Sequence, residues 1–357
     1  MEQVTLKQIA EYLGISIATV SKALKDYPDV SQKTKDLVKA EAERLNYQPN
    51  SFAVNLRTKE SKTIGLIIPE VVHFFFGNIV RAIITAAEKR GYLVIILQSD
   101  DNPELEKKQI DLLISKRVDG IMISLANNTV DISHLHKVQR LGIPLVMFDK
   151  ISKLVPCSKV IIDDRKAAYE ATKHLIEQGC TKIAHFRGPL LPQNSIDRFL
   201  GYKKALEDHG LPYDSNMVFL CDPITYEKGR EHARNLIESD LEVDGIFANT
   251  DMVAIGALSV FNESGIKVPE QIKIIGFSNW FISSAMTPTL STVDQPGIKM
   301  GKKVFKQLYK ELQAKKNGQI IQPETVTMST EVIARKSSAM SVNALDQDDK
   351  KQALPFG

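Results

Sequence analysis

The chain has 357 residues, of which 43% are apolar and 25% charged, the balance of a globular protein with two or three domains. Its longest apolar runs are strand-length, short of the ~20 residues of a membrane span. Its start lacks the charged segment and apolar run of an export signal, and its three cysteines lie far apart. We therefore expect a cytoplasmic protein with no membrane partner. A formal net charge of +3 is too small to hold nucleic acid by overall charge alone.

Residues 5–24 predict two short helices joined by a tight turn. Thr5 and Gln8 have capping-box spacing at the start of the first helix, Gly14 can end it, and Ser16 can cap the second helix. The apolar positions spaced to face inward are Leu6, Ile9, Ala10, Leu13, Val20 and Leu24. The residues on the outer face of the second helix are Ile17, Ala18, Ser21 and Lys22. This is the layout of a helix-turn-helix, whose second helix enters the major groove of DNA; the alternative is an ordinary helical hairpin.

Two further segments complete the N-terminal pattern. Ser31 can cap a third helix that runs to about Asn46, before Pro49. Its predicted inward residues are Leu37, Val38, Ala42 and Leu45. Residues 50–59 suit a short helix, which would be marginal in water and ordered only when something packs on it.

From Thr63 onward, apolar strands alternate with amphipathic helices, a pattern typical of parallel sheets with crossover helices. The predicted strands are residues 64–69, 93–98, 120–124, 145–149, 159–163, 182–186, 217–221, 245–248 and 273–277. The sequence V-D-G-I occurs at 118–121 and again at 243–246, each time at the entrance of a strand. This repeat predicts two doubly wound lobes that face each other across a cleft.

The chain resembles the LacI/GalR (lactose-repressor) family of bacterial transcription regulators from residue 3 to about residue 336. The N-terminal motifs are T-L-K-Q-I-A at 5–10, G-I-S-I-A-T-V-S-K at 14–22, V-S-Q-K-T at 30–34, L-N-Y-Q-P-N at 45–50 and L-R at 56–57. The later motifs are T-I-G-L-I-I-P at 63–69, V-D-G-I, and R-F-L-G-Y at 198–202. The expected fold class is α/β, with a three-helix helix-turn-helix domain before a two-lobed core of periplasmic-binding-protein type.

We predict four domains or segments: a helix-turn-helix domain over 1–49, a hinge helix and linker over 50–62, a two-lobed effector-binding and dimerisation core over 63–336, and a disordered tail over 337–357. We expect His134 and His136 to lie solvated in a polar loop, because no ligand at metal-binding spacing accompanies them. No metal and no cofactor is predicted.

The resemblance implies that Ile17, Ala18 and Lys22 read bases. Lys22 can donate to guanine O6 and N7, whereas Ile17 and Ala18 can only pack on thymine methyl groups. The other residues predicted to contact DNA are Thr5, Ser16, Thr19, Ser21 and Asn50, with the phosphates as partners of Ser16, Thr19 and Ser21. The alternatives are a solvated Lys22 and a Thr19 that is partly buried without touching DNA.

Leu56 matches the family's hinge leucine, which wedges between base steps in the minor groove, and Arg57 could follow the groove edge or a phosphate. The alternative is a linker whose leucine packs against the core.

The resemblance also implies a small effector between the lobes, with Asp149 and Arg198 at the most recurrent polar positions. A carboxylate and a guanidinium that face one cleft suit a sugar, a nucleoside or a similar polyol. The further candidates are His73, Phe74, Phe75, Asp163, Asp251, Asn279 and Trp280. Asp163 and Asp251 could instead cap helices, and Phe74 or Phe75 could belong to the core.

The sequence departs from the family in the same region. Residues 276–280 read G-F-S-N-W where many relatives have G-F-D-D, and residues 222–226 read D-P-I-T-Y where some have a stacking aromatic residue. The ligand of a particular relative therefore cannot be assigned to this chain from the resemblance.

We predict a sequence-specific DNA-binding transcriptional repressor, with a small effector, expected to be a carbohydrate, that sets operator affinity. A homodimer on a near-palindromic operator is expected, because the C-terminal segment lacks a leucine heptad that would join dimers. A solute receptor would need an export signal, and an enzyme would need a phosphate loop, dinucleotide fingerprint or catalytic motif, none of which the sequence contains. Whether the effector induces or corepresses stays open.

Overall fold

A computed structural model describes residues 4–47, 60–71, 74–320 and 322–339. The predicted hinge helix over 50–59 and the tail from residue 340 lie outside the described residues. The chain divides into two compact units, Met1–Ser61 and Lys62–Gly357.

The first unit contains three helices, α1 (Leu6–Leu13), α2 (Ile17–Leu24) and α3 (Gln32–Arg44). The capping predictions are confirmed: Thr5 and Gln8 form a capping box, Ser16 accepts from the Thr19 amide, Ser31 accepts from the Thr34 amide, and Gly14 ends α1 with φ of 64°. The buried residues that hold these helices together are Ile9, Ala10, Val20, Ala23, Val38 and Ala42.

The prediction that Leu37 faces inward is wrong, because 53% of this residue is exposed. The buried positions of α3 are Lys35, Val38 and Ala42, which follow the helical period, whereas Leu37 is rotated about 100° from Val38. Lys35 reaches inward because its ammonium group donates to the Asp26 carbonyl at 3.2 Å.

The second unit has two lobes, each built on a six-stranded sheet. The first sheet is parallel throughout, in the order β11-β5-β4-β3-β1-β2. Its strands are β1 (Thr63–Ile68), β2 (Leu93–Gln98), β3 (Gly120–Ile123), β4 (Leu145–Phe148), β5 (Ser158–Ile162) and β11 (Thr325–Met328). Its helices are α4 (Phe74–Glu88), α5 (Pro103–Ser115), α6 (Ser133–Arg140) and α12 (Gly297–Lys316).

The second sheet has the order β12-β10-β9-β8-β6-β7, and only its β10–β12 pair is antiparallel. Its strands are β6 (Ile183–Arg187), β7 (Val218–Leu220), β8 (Gly245–Ala248), β9 (Lys273–Ser278), β10 (Ser291–Asp294) and β12 (Glu331–Ile333). Its helices are α7 (Asp164–Glu177), α8 (Gln193–Asp208), α9 (Tyr226–Glu238), α10 (Asp251–Glu263) and α11 (Ile282–Ala285). The chain crosses between the lobes three times, after β5, β10 and β11.

The predicted strands each lie within one residue of an observed strand at both ends. Strands β10, β11 and β12 were not predicted, because they are only three or four residues long, and β11 and β12 carry no fully buried side chain. They complete the sheets by pairing with strands that are distant in the sequence, and the sequence pattern within such a short segment does not reveal this pairing.

The V-D-G-I repeat has one structural role in both lobes. Asp119 precedes β3 and accepts a hydrogen bond from the Lys62 amide at 2.9 Å, just before β1. Asp244 precedes β8 and accepts from the Lys182 amide at 2.9 Å, just before β6. In each lobe the aspartate therefore ties together the entrances of two neighbouring parallel strands.

The predicted start of the disordered tail is wrong, because Ser337 and Ser338 are fully buried. The hydroxyl of Ser337 donates to the Ile274 carbonyl at 2.6 Å, and that of Ser338 lies 2.6 Å from the Ser291 hydroxyl. These two serines satisfy backbone and hydroxyl groups of the second lobe, so this lobe extends beyond residue 336.

Helices α9 and α10 approach each other through two glycines. A Cβ on Gly229 would lie 2.1 Å from the Val253 carbonyl oxygen, and one on Gly256 would lie 2.1 Å from the Tyr226 carbonyl oxygen. Backbone atoms cannot yield as a flexible side chain can, so these helices pack only with glycine at both positions.

We expect Gly256→Ala to destabilise the second unit by about 1–3 kcal/mol or more, because the new methyl group overpacks the helix interface. The matched control is Gly77→Ala on α4, where the added Cβ meets nothing within 4 Å. That change should be neutral or stabilise by up to about 1 kcal/mol. Thermal unfolding of both variants checks this, and equal melting temperatures would contradict it.

Candidate functional site

The second helix of the first unit presents an exposed face that its caps hold in place. Ile17 is 48% exposed, and Ala18 and Lys22 are also exposed, while Val20 is fully buried. The Ser16 hydroxyl lies 2.8 Å from the Thr19 hydroxyl at the helix start. Ser21 and Thr19 are half-buried at the margin of this face. A short helix with one exposed face is what a helix-turn-helix inserts into the major groove of DNA.

Lys22 forms an ion pair with Asp29, which lies in the turn before α3. The hydrogen bond to Asp29 and its negative charge raise the pKa of Lys22, and the hydrogen bond from Lys22 and its positive charge lower the pKa of Asp29. Both side chains are exposed, so the pair adds little stability. The ammonium group of Lys22, which is predicted to read bases, is therefore paired with a carboxylate of the same unit. This ion pair was not predicted from the sequence.

The second unit contains a cleft of about 190 Å³ between its lobes, at the carboxyl ends of the central strands. Both lobes supply polar lining residues, among them Asp101, Asn127 and Asp149 from the first and Ser195, Arg198 and Asn249 from the second. The structure thus brings the predicted residues Asp149 and Arg198 into one cleft, and Phe75 lines it too.

Arg198 is buried in the wall of this cleft and hydrogen-bonded to two neighbouring residues. Its Nε donates to Oδ1 of Asp164 and its Nη1 donates to the Asn249 carbonyl, both at 2.8 Å. Its guanidinium carbon lies 3.7 Å from the centre of the Phe277 ring. Burial raises the pKa of Asp164 to about 7, although the charge of Arg198 opposes that shift. Arg198 lies within α8 rather than at its start.

Asp149 follows β4 in a left-handed conformation, with φ of 55°, and is buried. Its carboxylate accepts from Nδ2 of Asn194 at a long 3.5 Å, and burial raises its pKa. Beside it, Lys150 donates to Oδ1 of Asp101 at 3.2 Å, and Nδ2 of Asn127 donates to Oδ2 of Asp101 at 2.8 Å. Lys150 and Asp101 were not predicted, although the D-K pair that follows a strand could have indicated the lysine.

Asp251, Asn279 and Trp280 form a neighbouring network behind the cleft. Asp251 accepts from the Trp280 amide at 2.7 Å and from the Thr292 hydroxyl at 2.6 Å, and Thr250 is the residue that caps α10. Asn279 donates to Asp294 and accepts from Arg335, both at 2.9 Å. Neither Asn279 nor Trp280 lines the main cleft. Trp280 borders a smaller hollow of about 10 Å³ with Phe74, Phe75 and Asp251.

The remaining predicted residues fall in different places. Asp163 is exposed, accepts from the Lys166 amide as the cap of α7, and lies away from the cleft lining. Phe75 belongs to the hydrophobic core and also lines the cleft. Phe74 is half-buried, and the centre of its ring lies 5.8 Å from that of Phe281. The candidates outside the described residues are Asn50, Leu56, Arg57 and His73.

The prediction of a solvated His134 is wrong. This residue lies in α6, is buried, and has its Nε2 2.9 Å from Oε1 of the buried Glu106. In the described stretches, no group of three or more His, Cys, Asp and Glu side chains is arranged to hold a metal ion. Nor does any helix of those stretches have the length and apolarity needed to cross a membrane.

A helix-turn-helix unit and a two-lobed core with a polar cleft together define a ligand-responsive DNA-binding protein. Residues 5–50 match the family described as bacterial regulatory proteins, lacI family. Residues 61–334 match the family of periplasmic binding proteins and the sugar binding domain of the LacI family.

Individual relatives agree over nearly the whole chain. The ribose operon repressor of Halalkalibacterium halodurans is 33% identical over 312 residues, covering 87% of this chain and 91% of that protein. The transcriptional repressor CytR of Escherichia coli is 33% identical over 334 residues, covering 94% of this chain and 96% of its own. A crystal structure of the Lac repressor bound to ONPG, 25% identical, superposes with a TM-score of 0.82 over 94% of this chain and 100% of that one.

The chain therefore belongs to the LacI family of bacterial regulatory proteins. It is a DNA-binding transcriptional repressor with an effector-binding core, and the family's members are regulators rather than enzymes. These regulators bind operator DNA as dimers and respond to small sugar or nucleoside effectors.

Burial raises the pKa of Asp251 to about 6 in the folded core, against about 4 in an unfolded chain. The folded state thus holds this proton more tightly, and the stability due to Asp251 is present below pH 4 and is lost as the pH rises to about 6. We expect Asp251→Asn to lack this loss, so that its stability relative to the parent rises between pH 4 and pH 6.5. Urea unfolding across that range checks this, and a pH-independent difference would contradict it.

Proposed function

We propose that the exposed face of α2 reads the operator, with Lys22 donating to guanine and with Ile17 and Ala18 against thymine methyl groups. Thr5, Ser16 and Thr19 would bind phosphates, since their hydroxyl groups lie at or near the amino ends of α1 and α2. Ser21, further along α2, would bind a phosphate from the margin of the exposed face. The single observation that carries this proposal is the exposure of Ile17 beside buried Val20, because an apolar side chain held outward on a short capped helix suits a groove surface.

One recognition helix contacts only a few base pairs, so we infer a homodimer on a near-palindromic operator, in which each helix reads one half-site. The protein would act in the cytoplasm, where bacterial operator DNA lies. The hinge contacts expected of Leu56 and Arg57, and the contact of Asn50, remain predictions from the sequence.

In the core, we propose that the effector binds between the lobes against Asp149, Arg198 and Phe75. The polar lining from both lobes supports this, because a ligand that touches both can favour their closed arrangement. The three chain crossings would be the positions at which the lobes rotate. Asp251 and Asn279 would act by holding the loop at Trp280, whereas the cap position of Asp163 does not favour a direct contact.

Selection of operator sequences from a random duplex library by the full chain tests the DNA-binding proposal. We expect Lys22→Ala to weaken binding to the selected operator by about 1–3 kcal/mol and to relax specificity at one base pair. Lys25→Ala removes the same charge from an exposed position just after α2 and should weaken binding to all DNA sequences equally. Equal loss of specificity in both variants would contradict the assignment of Lys22.

A second prediction concerns Asp29, which neutralises Lys22 in the free protein. We expect Asp29→Asn to tighten nonspecific DNA binding and to steepen its logarithmic salt dependence by about one unit, because a freed ammonium group displaces one more counterion.

The matched control is Asp26→Asn, which changes the net charge equally but frees Lys39 on α3. Asparagine also suits the left-handed conformation of residue 26, where φ is 54°. Fluorescence anisotropy at several salt concentrations measures both variants. The same salt slope in both would show that Asp29 acts through net charge and not through Lys22.

A further inference from the structure

The amino ends of the strands in the first lobe carry a concentration of positive charge. The first sheet is parallel throughout, so its strands begin at one edge, which is opposite to the cleft. Each turn or helix end that leads into β1, β2, β3, β4 or β11 contains at least one lysine or arginine. The residues of this basic edge are Lys62, Lys89, Arg90, Lys116, Arg117, Lys137, Arg140, Lys315 and Lys316.

Most of these cations are exposed and have no carboxylate partner. Those that are exposed and form no ion pair within the described stretches are Lys89, Arg90, Lys116, Arg117, Arg140 and Lys315. Of the nearby carboxylates, Asp119 already accepts from the Lys62 amide at 2.9 Å, and Glu324 is paired with Lys310 at 3.0 Å. Glu88, the last residue of α4, offsets one charge. The basic edge therefore keeps a surplus of positive charge.

The general preference of helix ends for cations does not explain this surplus. The carboxyl end of a helix carries partial negative charge, and a cation there stabilises any helix. The second lobe has the same architecture, yet α7, α8, α9 and α10 each end on an acidic residue. These residues are Glu177, Asp208, Glu238 and Glu263. Corresponding helix ends of the two lobes thus carry opposite charge, which indicates that the basic edge faces a polyanion.

Aromatic rings hold two cations of the basic edge in position. Nζ of Lys62 lies 4.7 Å from the centre of the Tyr92 ring, and the guanidinium carbon of Arg90 lies 4.9 Å from that of the Tyr309 ring. A guanidinium that stacks on a ring keeps the N–H groups at its edge directed outward. Such groups suit the oxygen atoms of a phosphate.

The position of the basic edge in the chain favours DNA as this polyanion. The edge begins at Lys62, the first residue of the second unit, and residues 48–59 join it to the helix-turn-helix unit. Fully extended, a segment of this length spans at most about 45 Å. When the first unit is bound to DNA, such a tether gives the edge an effective concentration on the order of millimolar at the same duplex. Weak phosphate contacts then suffice.

We propose that the basic edge of the first lobe is a second DNA-contacting surface, which binds backbone phosphates of the duplex beside the half-site that α2 reads. This surface adds sequence-independent contacts, and in the specific complex it rests on the recognition proposed for α2. Each phosphate that a lysine or arginine neutralises releases a counterion, so the contact adds to the salt dependence of binding.

The test compares the full chain on two duplexes that contain the same selected operator. One duplex ends with the operator, and the other continues for about 20 base pairs on each side, which is longer than the reach of the tether. The edge variant combines Lys89→Gln, Lys116→Gln and Lys315→Gln. Fluorescence anisotropy at several salt concentrations gives the affinity and its logarithmic salt slope for both duplexes.

The control variant removes the same net charge from the second lobe. It combines Lys166→Gln, Lys267→Gln and Lys336→Gln, which are exposed and form no ion pair within the described part of the chain. We expect the parent chain and the control variant to bind the long duplex about tenfold more tightly than the short one at low salt, with a slope steeper by about two to three units.

The edge variant should lose most of this difference and keep the parent's affinity for the short duplex, and Lys116→Gln alone should lose about one unit of slope. A parent chain with equal affinity and slope on both duplexes would overturn the proposal, as would equal losses in the edge and control variants. Failure of the parent to prefer the selected operator over an unrelated duplex of equal length would instead contradict the recognition proposed for α2.

Discussion

The buried ion pair between Arg198 and Asp164 is the interaction on which the cleft depends. It joins α8 to the start of α7, while the second guanidinium bond reaches the carbonyl that follows β8, and the Phe277 ring of β9 lies against the guanidinium. Removing either partner would leave a buried charge uncompensated, which is strongly destabilising. The arginine that lines the cleft is therefore also part of the structure that holds the second lobe together.

The same arrangement occurs in the DNA-binding unit, where Lys22 is matched by Asp29. In both units the cation at the proposed site already has an acidic partner, but burial differs. Exposed Lys22 can leave its partner at small cost, whereas buried Arg198 cannot. This difference makes Lys22 the cation that can be released to a partner, whereas Arg198 stays in its structural ion pair.

Local features of the fold could be predicted from the sequence, and features formed by distant segments could not. The caps at Thr5 and Ser16 and strands such as β2 and β8 depend on residues a few positions apart, and they were predicted correctly. Asp149 and Arg198 could be placed at the cleft through the family resemblance. Gln295 could not, because it lies in a chain crossing, and the burial of His134 depends on Glu106, 28 positions earlier.

The central claim is that occupancy of the core cleft sets how tightly the first unit holds its operator. The most direct test measures operator affinity of the full chain with and without a saturating effector, and effector affinity with and without operator. Coupled sites predict a change of about 5–150-fold, by the same factor in both measurements. Operator affinity that does not change when the effector is bound would contradict the account.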